Sequence, residues 1–196
     1  MSEQTIPKLA VPLPPLLPRL ELEPEGEEVL NGAEDALQGI DRLVGAGRMV
    51  EAARLAAHAL PKREAVWWAC MCARAIPDPA LKPEDIVALE AAEAWVRRPE
   101  EAARRRAAEA AEKTSFRSAE AWAAMGAFWS GGSLAPEGMA EVPPGEHLTG
   151  VAIAGAVVLA SVRVKPERQP GRIGKFLDSA RAIAAGGAGR VEAEEG

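Results

Sequence analysis

The chain has 196 residues, a formal net charge of −6 and a sequence pI near 5.2, which fits one core with flexible ends and leaves little room for two full domains. An acidic balance lacks the clustered Lys and Arg that counterion release from phosphates requires, so no nucleic-acid partner is expected. Hydrophobic residues make up 48% of the chain but aromatic residues only 4%, and much of the apolar share is alanine, the best helix former; an all-α fold with a thin core leaning on the five Trp residues is expected.

Residues 1–8 show no apolar signal core behind a basic region, so a cleaved secretion signal is not expected. Pro7, Pro12, Pro14, Pro15, Pro18 and Pro24 follow at high density. Each fixes φ and removes a backbone donor, so residues 1–30 are read as an extended, polyproline-like arm without helix. Leu9, Val11, Leu13, Leu16, Leu17, Leu20 and Leu22 give it more apolar side chain than a solvated linker carries. Two readings stay open: the arm lies back on its own helical body or is disordered, or it docks on a partner with Leu13, Leu16, Leu17 and Leu20 as anchors.

From residue 31 the pattern turns helical, and residues 31–185 are read as one α-helical domain, either a bundle or a short stack of helical hairpins. Ala36, Leu37, Ile40, Leu43 and Val44 recur at three- and four-residue spacing until Gly45 and Gly47 end the run. Residues 48–60 form a second helix with a small-residue face, and Pro61 opens a third, rich in Trp67, Trp68, Met71 and Cys72. Pro83 with Glu84 and Asp85 starts a helix to residue 98, the carboxylates complementing the macrodipole. Pro99 restarts the chain into 100–112, where Arg104, Arg105 and Arg106 are read as a solvated face paired with neighbouring glutamates. Ser118 caps a helix to residue 130 that places Trp122, Met125 and Trp129 on one side. Residues 131–145 read as a loop, residues 147–164 and 170–185 as helices, and residues 186–196 as a flexible tail that frays. An echo between residues 51–71 and 101–125, each with a Glu-Ala-Ala-Arg run before a Trp and Met helix, raises the reading of a repeated hairpin.

Little in the sequence carries chemistry. His58 and His147 are the only histidines and fall in different elements. Cys70 and Cys72 point about 200° apart on a helix, so they bridge neither each other nor a metal; two reduced, buried thiols in a reducing, cytoplasmic setting are expected. The spacing of Cys and His matches no zinc pattern, and there is no P-loop, nucleophile elbow or dinucleotide fingerprint. No catalytic residue, cofactor or metal is therefore expected, with a thiol-dependent enzyme as the outside reading. Ser130, Gly131, Gly132 and Ser133 read as a helix end and turn rather than an anion cradle. The uncharged run 148–162 is shorter than the roughly 20 residues a membrane span needs and is read as a buried helix.

Two segments, FWSGGSLAP at 128–136 and HLTGVAIAGAVVLA at 147–160, together with the Trp-rich helix, resemble an uncharacterised family of small bacterial helical proteins found among type VI secretion genes, beside spike, PAAR-tip and adaptor proteins. The resemblance spans residues 30–165 and implies a non-catalytic protein that binds a secretion effector or spike component, as adaptor or chaperone. An immunity protein that neutralises a cognate toxin is the alternative. Trp129 joins the four arm leucines as an expected partner anchor, because large rigid apolar groups dominate interface energetics.

Overall fold

The structure, a computed structural model, describes residues 8–195; Pro7 with the residues before it, and Gly196, lie outside the described part. Among the described residues nine α-helices follow in order: α1 (Pro24–Leu30), α2 (Ala36–Gly45), α3 (Met49–Ala59), α4 (Lys62–Ala75), α5 (Pro83–Arg97), α6 (Glu101–Glu112), α7 (Ala119–Phe128), α8 (Leu148–Ser161) and α9 (Gln169–Ala184). The architecture is an all-α bundle. Its helices start where the side chains supply acceptors: the Asp35 carboxylate takes the Gln38 N–H at 2.8 Å to open α2, and the Ser118 hydroxyl takes the Ala121 N–H at 3.2 Å to open α7.

Alanine decides how the bundle closes. α4, α7 and α8 form its centre, with α3 and α9 packed on one part and α5 and α6 on another. Ala123, Ala124 and Ala127 of α7, and Ala152, Ala156 and Ala160 of α8, are fully buried, so small side chains let these backbones approach. Larger groups fill what alanine leaves: Trp68 is fully buried and its indole N–H donates to the Phe176 carbonyl at 2.7 Å, tying α4 to α9. Of the five Trp residues, Trp68 and Trp95 are buried whereas Trp67, Trp122 and Trp129 are half-buried. The core thus leans on leucine and alanine more than on tryptophan.

Buried charge holds helix ends together. The Arg163 guanidinium, just past α8, donates to the Ala73 and Ile76 carbonyls at the end of α4 (3.0 and 3.1 Å) and pairs with the Glu120 carboxylate of α7. Burial holds the Glu120 carboxyl above its ordinary range even with Arg163 beside it. The Asp85 carboxylate, also buried, accepts from the Ser118 hydroxyl at 2.6 Å and joins α5 to the start of α7.

Several expectations are corrected here. From residue 8 onward the arm is not extended. Leu13 to Leu16 and Leu16 to Arg19 close turns (Leu16 N–H to Leu13 carbonyl, and Arg19 N–H to Leu16 carbonyl, both 2.9 Å), a 3-10 turn covers Leu17–Arg19, and α1 begins at Pro24 itself. A turn needs an N–H only at its fourth residue, and those residues here are not prolines; Pro24 occupies the first helical position, where its missing N–H is harmless. The arm is seated beside α2 through Ala36 N–H to the Val11 carbonyl (2.9 Å).

The segment after α9, described to residue 195, is tied to the body at Glu194. The Glu194 N–H donates to the Ala75 carbonyl at 2.8 Å, and the Glu194 carboxylate takes two hydrogen bonds from the buried Arg172 guanidinium (3.0 and 2.8 Å). The repeated-hairpin reading also fails. α6 and α7 pack side by side, but α3 lies on α2, α8 and α9 while α4 lies on α5, α7, α8 and α9, so the sequence echo has no matching pair of hairpins.

Candidate functional site

α7 buries its alanines inward, and its helical period therefore turns Trp122, Met125 and Trp129 outward together. All three are half-buried. Trp122 and Trp129 meet edge to face with ring centroids 6.1 Å apart, and Phe116 stands edge-on to Trp122 at 6.5 Å. The Trp122 indole N–H donates to the Phe116 main-chain carbonyl at 3.0 Å, which ties the indole to the backbone that carries Phe116. Phe116 holds φ of 54°, a left-handed conformation costly for an aromatic residue, and remains 39% exposed. The strained turn holds the phenyl ring against Trp122 and still leaves it part open to solvent. The result is a rigid, accessible aromatic face of the kind that anchors partners.

Arg104 braces the far end of this face, and here the solvated reading of the arginine run is corrected. Its guanidinium is buried, pairs with Glu101 at 2.7 Å, donates to the Phe128 and Ser133 carbonyls (2.6 and 2.8 Å) and stacks over the Phe128 ring at 4.7 Å. Gly132, at φ of 64°, passes so close that a Cβ there would lie 2.8 Å from the guanidinium. The turn after α7 is therefore built around an arginine. Arg105 continues the bracing by donating to the Ala135 carbonyl at 3.1 Å, while Arg106 alone of the three is exposed.

Of the five expected anchors, Trp129 lies on this face. Leu17 is 38% exposed, but Leu13, Leu16 and Leu20 are buried in the chain's own core with Leu9 and Leu30. These three face inward because the turns repeat their side chains at four- and three-residue spacing toward one side. They present nothing to a partner, and the reading of them as anchors is corrected. The sequence missed Phe116, whose signal was only its position just before the Ser118 cap.

The thiols sit elsewhere. Cys70 and Cys72 are fully buried in α4, and burial pushes both far above the ordinary thiol range. The charged surroundings of Cys70 are Glu93, Arg74, Glu120 and Arg97, not a histidine. Protonated thiols shut away from solvent are poor nucleophiles. Both histidines instead line one groove between α3 and α8, a meeting that their positions in the chain did not signal. Among the described residues no group of three His, Cys, Asp or Glu side chains is placed to hold a metal ion, and no single helix is long and apolar enough to cross a membrane.

No curated protein and no solved structure matches the chain. A family description does match, over residues 39–184, from α2 to the end of α9. On that extent the chain belongs to the family of unknown function DUF6931.

Proposed function

We propose that this protein is a non-catalytic binding protein whose aromatic face on α7 seats another protein. The observation that carries the reading is the edge-to-face row of Phe116, Trp122 and Trp129, held half-exposed by a strained backbone and braced from behind by Arg104. The loop that follows leaves Met139 and Val142 exposed, adding apolar surface after the same helix. The finer role, an adaptor or chaperone for a type VI secretion cargo, rests on the resemblance carried by the segments at 128–136 and 147–160.

The test is co-purification of the full chain from its native host with neighbouring secretion components, repeated with Trp122→Ala and Trp129→Ala. Loss of a specific partner by variants that still melt cooperatively is the expected result, with each Trp costing about 2 kcal/mol of binding or more. Recovery of the same partner by the double variant, or of no secretion component by the parent, would overturn it. The net charge of −6 favours a second reading, an immunity protein that covers a basic toxin. Protection of a cell expressing the cognate toxin would select that reading over the adaptor.

A further inference from the structure

A second concave feature lies apart from the aromatic face. The groove between α3 and α8, roofed on one side by the arm, encloses about 650 Å³, within the span of small-molecule sites at roughly 300–1,000 Å³. Val50, Arg54 and His58 line it from α3 at four-residue spacing. His147 at the N-cap of α8, then Val151, Ala154 and Val158, line the other wall, and Arg19 and Glu21 come from the arm.

The lining is polarised. His58 packs on the backbone of α8 at Gly150, where a Cβ would lie 2.2 Å from its Nδ1, so no other residue fits there. Its neighbour His147 is at the same end, so α3 and α8 run antiparallel across the groove, and Val50 faces the Val158 end. Arg19, His58 and His147 therefore crowd one end, and valines line the other. Arg54 gives one hydrogen bond to the Leu20 carbonyl at 2.8 Å. Neither Arg54 nor Arg19 joins an ion pair among the described residues, and the half-buried Arg19 guanidinium has no hydrogen-bond acceptor among them either. Arg54 thereby ties α3 to the arm, whereas Arg19, in a chain of net charge −6 where most arginines are paired, is a half-buried cation left open beside an apolar trough.

From this polarity we infer that the groove binds a small amphiphilic carboxylate, its anionic head between Arg19, His58 and His147 and its aliphatic chain along Val151, Ala154, Val158 and Val50. The charge around His58 agrees. Burial first, then Arg19, His147 and Arg54, lowers its pKa to about 4, so the imidazole is neutral at pH 7, and a bound anion would offset the part of that shift that Arg19 and Arg54 cause. Glu21 lines the same groove, and Glu146, paired with Lys62 at 3.2 Å, lines the adjoining recess beside Arg19 and His58. This inference does not depend on the aromatic face or on any protein partner.

His58 and His147 are the only histidines, so their imidazole NMR signals report the groove directly. The experiment titrates the full chain with octanoate, octanol, octylamine, acetate and an apolar peptide with a free C-terminus. Octanoate is expected to bind most tightly and to raise the His58 pKa from about 4. Arg19→Gln, which breaks no hydrogen bond in the fold, is expected to weaken octanoate about tenfold, the loss of one charge-assisted contact. Val151→Glu, at a site already 46% exposed, is expected to weaken it similarly while leaving the melting temperature unchanged. Equal binding of octanol, octylamine or acetate would overturn the assignment. So would a His58 pKa that stays put at saturating octanoate, or an Arg19→Gln variant that binds as the parent does. Tighter binding of the peptide would hand the groove to a polypeptide tail and overturn the small-molecule assignment.

Discussion

Glu120 and Arg163 are each almost wholly buried, so their pairing is a question of what replaces lost hydration. Arg163 has the fuller answer, with two carbonyls and a carboxylate around it. Removing only the carboxylate leaves a buried cation without its counter-charge, and breaking a pair in that way costs about 3–5 kcal/mol. Glu120→Ala is therefore expected to lower unfolding free energy by about that amount in denaturant titration. Replacing both partners, as Glu120→Leu with Arg163→Met, is expected to cost less than the sum of the single changes, because the uncompensated charge disappears. A double variant as damaged as the sum would show that the two side chains act independently.

The helices were legible because their punctuation is chemical: Gly45 ending α2 and Gly47 following it, Pro61 before α4, Pro83 opening α5 and Ser118 capping α7 all act through the local backbone. The arm and the tail were not, since their conformations are decided by distant partners: Val11 by Ala36, Glu194 by Arg172 and Ala75. Nor does a run of three arginines reveal that Arg104 alone turns inward to brace Phe128 and Ser133. In the arm, Leu13→Ala is expected to cost about 2–5 kcal/mol as a cavity in the core. Leu17→Ala should stay within about 0.5 kcal/mol, as a surface change does; equal costs would mean that the arm does not fold back as described.

The tail carries a pH signature. Hydrogen bonds from Arg172, and then from Arg168, hold the Glu194 carboxyl down at about 2, below its ordinary 4.5. A depressed carboxyl adds stability above its unfolded value, and that stability is lost as pH falls from about 4.5 toward 2. The Trp67 indole N–H, which donates to the Ala188 carbonyl at 2.9 Å, is a reporter of the same segment. Its NMR resonance is expected to move across that window in the parent, and in Glu194→Gln to be displaced already at neutral pH and to lack that movement. A resonance indifferent to both would mean that the ion pair does not hold the tail.

At the scale of the whole molecule, the stretch that defines the family and the unit that folds are different lengths. Residues 39–184 contain α3 to α9 and most of α2, yet the core they surround also takes Leu9, Leu13, Leu16, Leu20 and Leu30 from before that stretch and the Glu194 contacts from after it. Burying a leucine contributes about 2 kcal/mol, so losing these side chains removes on the order of 10 kcal/mol, an upper estimate because unfolded chains already bury some of that surface. Domains of this size are stable by only about 5–15 kcal/mol in total. Arg172 would in addition keep its buried position while losing its carboxylate. A fragment of residues 39–184 is therefore expected to retain helical far-ultraviolet dichroism but to bind a hydrophobic dye and melt without a sharp transition. The full chain should melt cooperatively. A fragment that melts as sharply and as high as the full chain would mean that the arm and tail rest on a core already complete without them.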